Sequence, residues 1–136
     1  MKILLAYVPS ATSEAALAYA VEEARQKQGS LLVLASESSG DPEKQRGVMD
    51  RRPLSERLVE TGVAHELREV PRRDDPADDI LAATEEEAVD LVVLGIRKRT
   101  PIGKILLGST AQRVVMEAPC PVVVVKPEGF VPPPRI

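Results

Sequence analysis

Apolar residues fall in short unbroken runs separated by longer amphipathic stretches. The runs are Ile3–Val8, Leu31–Ala35, Leu91–Leu94 and Pro121–Val125. Runs of this length suit strands buried on both faces, as in parallel sheets. A weaker run, His65–Val70, carries Glu66, Arg68 and Glu69. It reads as a sheet edge, where charge discourages pairing with other chains. Between the runs the period changes to that of a helix. From Ser10 to Gln28, Ala16, Leu17, Ala20, Val21 and Ala24 share one face, and Glu22, Glu23, Arg25 and Lys27 the other. Gly29 is placed to end that helix. Pro53 to Thr61 predicts a short helix with Leu54, Leu58 and Thr61 inward and Gly62 as its stop. Asp75-Pro76 starts a third, with Asp75 as cap, Pro76 at its first position and Ile80, Leu81 and Ala88 buried. Asp78 and Asp79 fall in its first turn, where the helix dipole favours them. Ser109 opens a fourth with a capping box, Ser109-Thr-Ala-Gln112, and turns Val114, Val115 and Ala118 inward. Residues 36–52 lack an apolar period and read as an exposed loop, and the Pro-rich stretch 127–136 as a tail.

Strand and helix therefore alternate strictly, from strand to strand. That order implies a single α/β domain with a parallel sheet, over residues 1–126. Right-handed crossovers make it doubly wound, with helices on both faces. Ligands in such sheets bind outside the carboxyl ends of the strands, where the winding reverses. With the reversal between the first and fourth strands, the loops at 8–13 and 95–109 meet in one cleft.

The second of these loops carries the candidate chemistry. The strand Leu91–Leu94 opens onto Gly95, then a stretch with Arg97, Lys98, Arg99, Gly103 and Lys104, then Gly108-Ser109-Thr110 at a helix start. Backbone N–H groups at a Gly-rich loop and a helix N-terminus attract phosphate. The spacing is not that of the Walker loop, which would need glycine at 98 and Ser or Thr at 105; the chain has Lys98 and Ile105. The basic residues at 97–104 read equally well as a solvated loop, and Ser109 as a helix cap.

Composition narrows the partners. The chain has 136 residues, 43% of them hydrophobic, and a net charge of −3. Two Tyr and one Phe leave no stacking platform for single-stranded nucleic acid, and the negative charge disfavours polyanions, so no nucleic-acid partner is expected. No stretch approaches the length of a membrane helix, and Ile3–Val8 is too short for a signal segment. The one cysteine, Cys120, excludes an internal disulfide and fits a reducing cytoplasm. It reads as a small packed residue beside a strand. No Gly-x-Ser-x-Gly motif accompanies His65, the only histidine, and no His/Cys cluster has metal-ligand spacing.

Three stretches resemble the universal stress protein family. They are Ile3–Val8 with Ser10-Ala-Thr-Ser13-Glu-Ala-Ala-Leu17; Val89-Asp-Leu-Val-Val-Leu-Gly95; and Gly108-Ser109-Thr-Ala-Gln-Arg-Val-Val with Ala118-Pro-Cys-Pro-Val-Val-Val-Val125. The resemblance implies a sheet of five parallel strands in the order 3-2-1-4-5. It implies a stress-response module that binds ATP, or another nucleotide or phosphate anion, in the cleft between strands one and four, with little chemistry. A slow nucleotide hydrolase is the lesser enzymatic alternative. The residues at that cleft are Tyr7, Val8, Gly95, Arg97, Lys98, Gly108, Ser109 and Thr110. Nucleotide-binding members carry Gly-x2-Gly-x9-Gly-Ser/Thr after strand four; Gly95, Gly108 and Ser109 match, and Lys98 replaces the second glycine. They also carry an acid at the end of strand one, where this chain has Val8. Two functional readings follow, a nucleotide module, in which magnesium would enter only with the nucleotide, and a nucleotide-free member working through dimerisation or a partner. The resemblance, and the apolar edge formed by Val122, Val123, Val124 and Val125, imply a homodimer in which these last strands meet antiparallel.

Overall fold

The computed structural model describes residues 1–7, 11–36, 52–71, 75–96, 98–99 and 105–127. The order is β1 (Lys2–Tyr7), α1 (Ala11–Lys27), β2 (Ser30–Ser36), α2 (Leu54–Glu60), β3 (Ala64–Val70), α3 (Ala77–Glu86), β4 (Leu91–Gly95), β5 (Lys98–Arg99), β6 (Ile105–Leu106), α4 (Ser109–Glu117) and β7 (Val122–Val125). The five long strands form one all-parallel sheet, β3-β2-β1-β4-β7. This is the expected order 3-2-1-4-5, with β7 in fifth place. The winding reverses between β1 and β4, which pair directly, Ile3 to Leu91 and Leu5 to Val93.

Alternation along each strand divides the core in two. Ile3, Leu5, Tyr7, Leu31, Val33 and Val93 pack with α1 and α2, through Ala16, Leu17, Ala20, Val21, Ala24 and Leu58. Leu4, Leu32, Leu34, Val92 and Leu94 pack with α3 and α4, through Ala77, Ile80, Ala83 and Val114. The alanines at 16, 20 and 24 are small where α1 crosses the sheet, so helix and strands approach closely. At the amino end of the sheet, Glu87 accepts from Lys2 Nζ at 2.8 Å and from Arg68, and these cations hold its carboxyl down at about 2.

Several expectations need correcting. Gly29 does not cap α1 in a left-handed conformation; Gln28 does, at φ 52°. Gly29 is required by crowding instead, since a Cβ there would lie 2.5 Å from the Met1 carbonyl oxygen. Ala88 is exposed rather than buried: α3 ends at Glu86, and Ala88 turns the chain out at φ 49°. Thr84 takes its place in the core, its hydroxyl donating to the Leu81 carbonyl at 2.6 Å. Val115 faces outward, because α4 buries only the stripe through Val114. Finally, the stretch after β4 is not all loop. Lys98–Arg99 pairs antiparallel with Ile105–Leu106 as a small separate ribbon. Gly62, by contrast, stops α2 as expected, at φ 72°. The readings made for 37–51 and 128–136 lie outside the described residues.

Candidate functional site

The fold places the candidate crevice at the carboxyl ends of β1 and β4, where the winding reverses, and three short described pieces of chain lie there. The first is the end of β4. Gly95 has an ordinary backbone conformation but lies against α1. A Cβ on Gly95 would sit 2.7 Å from the Thr12 carbonyl oxygen and 3.4 Å from the Ser13 nitrogen. Its missing side chain lets the first turn of α1 lean on the end of β4.

The second is the start of α4. Here the capping-box expectation fails. Gly108 occupies the N-cap position in extended conformation, and Ser109 is already the first helical residue. No side chain caps this end among the described residues. The first backbone bond of the helix runs from Gln112 N–H to the Gly108 carbonyl at 3.0 Å. A Cβ on Gly108 would meet nothing within 4 Å among the described residues. Gly95 and Gly108 thus differ: a Cβ would clash at the first and not at the second.

The third is the end of β1. Tyr7 is 4% exposed, and its ring points into the core between α1 and α2. Its hydroxyl donates to Glu14 Oε1 and accepts from Arg57 Nη1 at 3.3 Å. Arg57 also donates to both Glu14 oxygens, at 3.0 Å to Oε1 and through Nη2 to Oε2. Sequence reasoning missed this cluster. Its members lie far apart in the chain, and only the position of Glu14 in a first helical turn carried any local signal. Burial, then the hydrogen bond to Glu14 and its charge, push the Tyr7 hydroxyl up to about 12 from an ordinary 10.0, against the pull of Arg57. The folded chain therefore holds this proton more tightly than the unfolded one. The contribution is complete below pH 10 and disappears as the pH rises toward about 12. The urea midpoint should fall across that window, and Tyr7→Phe should remove this part of the fall.

Of the other residues expected at the cleft, Thr110 is half-buried in the first turn of α4 and Ser109 is exposed. Lys98 begins the small ribbon. Val8 and Arg97 lie outside the described residues, as do Gly103 and Lys104. On the flank of the site, Arg113 of α4 binds Asp75 at 2.7 Å, Asp78 at 2.7 Å and Glu117 at 2.9 Å, tying α4 to α3. The bond from Arg113, then that from the Ala77 N–H at 3.0 Å, hold the Asp75 carboxyl below its usual range. Burial and the Asp90 charge raise the Cys120 thiol. Among the described residues, no group of His, Cys, Asp and Glu could hold a metal ion, and no helix is long and apolar enough to cross a membrane.

A doubly wound α/β domain with an uncapped helix at its switch point is a common frame for phosphate ligands. Comparison with known proteins is more specific. The sequence profile of the universal stress protein family matches residues 1–126, and the chain belongs to that family. It is 36% identical to a universal stress protein of Mycolicibacterium smegmatis, over 94% of this chain and 99% of that one. Among solved structures it resembles a universal stress protein from Archaeoglobus fulgidus, with 32% identity, a TM-score of 0.71, and coverage of 93% of this chain and 98% of the other. A universal stress protein from the same organism, solved in complex with dAMP, is 28% identical with a TM-score of 0.66, covering 93% and 98%.

Proposed function

We propose that the protein binds an adenine nucleotide in the crevice between β1 and β4, with a phosphate at the start of α4, and works as a binding module rather than an enzyme. The observation that carries this reading is the N-terminus of α4 at Gly108, which no side chain caps among the described residues. A bound phosphate would take the place that a capping side chain fills elsewhere, receiving the N–H groups of Ser109 and Thr110. The dAMP complex of the A. fulgidus relative supports a nucleotide of this class. Gly95, Arg97, Lys98 and Val8 complete the proposed surroundings, with Tyr7 behind them at the end of β1. Lys98 and Val8 depart from the family's binding pattern in a consistent direction: each change makes the crevice less negative than a member with the acid would be. A magnesium ion would enter only with a di- or triphosphate, held mainly by phosphates and waters.

One substitution tests the site without harming the fold. Gly108→Asp supplies the missing cap, so it should raise thermal stability. Its carboxylate would also occupy the phosphate position, so AMP and ATP affinity by titration calorimetry should fall by about tenfold or more. Unchanged affinity would remove phosphate from this helix end. A wild-type protein that binds neither nucleotide, and carries none on purification, would overturn the whole reading.

A second reading, in which dimerisation is the working feature, is favoured by the β7 edge. We propose a twofold homodimer through this strand. All four of its valines remain half-exposed. Arg113 fixes which side of α4 faces α3, and Val115, two residues on, points almost directly away from it, at 42% exposure. Met116, 82% exposed, lies beside it. Val115 and Met116 thus add exposed apolar surface on α4, and among the described residues β7 pairs on one side only, with β4.

A further inference from the structure

The Tyr7–Glu14–Arg57 cluster joins three elements level with the crevice. Leu5 and Val93 are register partners, so Tyr7 and Gly95, each two residues further on, end β1 and β4 at the same height. Thr12 lies against Gly95, and Glu14 follows two residues later. The first turn of α1 is therefore held on one side by the end of β4 and on the other by Arg57 of α2.

The charge pair at its centre is well shielded. The side chains of Arg57 and Glu14 are 13% and 23% exposed. Arg57 meets the carboxylate with two nitrogens, a forked geometry that lysine cannot copy. Removing one partner of such a pair leaves the other charge stranded. Yet α2 does not depend on this pair for its place. Leu58 is fully buried and Leu54 packs on the same core. Arg25 of α1 also donates to the Thr61 carbonyl at 2.9 Å, at the far end of α2. Breaking the pair should therefore leave α2 docked and loosen the crevice end of α1.

We propose that Arg57, Glu14 and Tyr7 form a latch that seats the first turn of α1 against Gly95 and so sets the width of the crevice. The three are positioning residues: they act on a bound ligand through α1. That consequence rests on the nucleotide reading above; the seating of α1 does not.

Amide hydrogen exchange on the full chain tests the latch without any ligand. In an α-helix the amides of residues 15–18 bond the carbonyls of residues 11–14, so they report whether the first turn is formed. Arg57→Met should speed their exchange by about tenfold, with the amides of β2 unchanged. Arg57→Lys, which keeps the charge and loses the fork, should give an intermediate rate. Tyr7→Phe should give a smaller rise and serves if Arg57→Met fails to fold. A rise confined to residues 54–60, or one shared by every segment, would overturn the latch. A second arm measures AMP affinity. Where the wild type binds AMP, Arg57→Met should weaken it by about fivefold, as misplacement of a supporting turn does. Equal affinity alongside faster exchange would overturn the link to the crevice. No AMP binding by the wild type would overturn the nucleotide reading and leave exchange to decide the latch.

Discussion

Replacing Gly95 by alanine is expected to cost about 2 kcal/mol of stability, and by valine about 3 kcal/mol or more. The new Cβ would lie 2.7 Å from the Thr12 carbonyl oxygen and 3.0 Å from its carbon. Both are backbone atoms, and no side-chain rotation can move them away. Either β4 must shift in the middle of the sheet, or α1 must lift from it. Neither is easy. Val92 and Val93 of β4 are fully buried, and Ala16 and Ala20 seat α1 on the sheet with no exposed surface. Gly108→Ala is the natural control, because a Cβ there meets nothing within 4 Å. It should cost no more than about 0.5–1 kcal/mol, the difference between glycine and alanine at an N-cap. Urea titration of both variants decides the matter. Equal losses at the two glycines would mean that close approach of α1 is not what Gly95 provides.

That contrast also shows what the sequence could and could not reveal. Both glycines stand in one motif, and nothing local separates them. Their roles differ because of Thr12, which is over eighty positions from Gly95 in the chain and touches it only once the sheet has formed. The same holds for Tyr7, Glu14 and Arg57. Nothing in their own segments links the three, and the cluster exists only after α1 and α2 lie side by side on one face. What periodicity reports is burial within an element. Continuous apolar runs located β1, β2, β4 and β7, and alanines four apart located the inner face of α1.

Two of the differences fall at element ends, where periodicity fades and tertiary contacts decide, and one inside α4. Ala88 continues the apolar pattern of α3 in sequence, but the helix has already ended. Ser109 has the chemistry of a cap, yet Gly108 takes that position. Val115 has the right hydropathy for the core, but α4 lies at the side of the sheet and needs only a narrow buried stripe, Val114 among the described residues. Its exposure leaves an apolar side chain on the surface of α4.

The open strand yields the second large effect: Val124→Pro should convert a dimer to a monomer while leaving the fold intact. Parallel pairing turns alternate residues toward the neighbouring strand. Val92 N–H donates to the Pro121 carbonyl at 3.0 Å, and Ile96 N–H to the Val125 carbonyl at 3.1 Å. The odd-numbered residues of β7 thus face β4, and Val122 and Val124 present their N–H and C=O groups to the open edge. In a twofold antiparallel pairing, Val122 of one copy would exchange bonds with Val124 of the other. Proline at 124 would remove one donor from each copy and set its ring in the gap. It takes nothing from the ladder to β4, because the Val124 N–H does not point there, and an extended residue before it suits proline. Val123 is the poorer position, since its side chain packs with the α1 core and a charge there would weaken the monomer itself. Light scattering at micromolar concentration should give the mass of two chains for the wild type and of one for Val124→Pro, with matching circular dichroism. A wild-type mass of one chain would end the dimer proposal, and a dimeric Val124→Pro would move the interface away from β7.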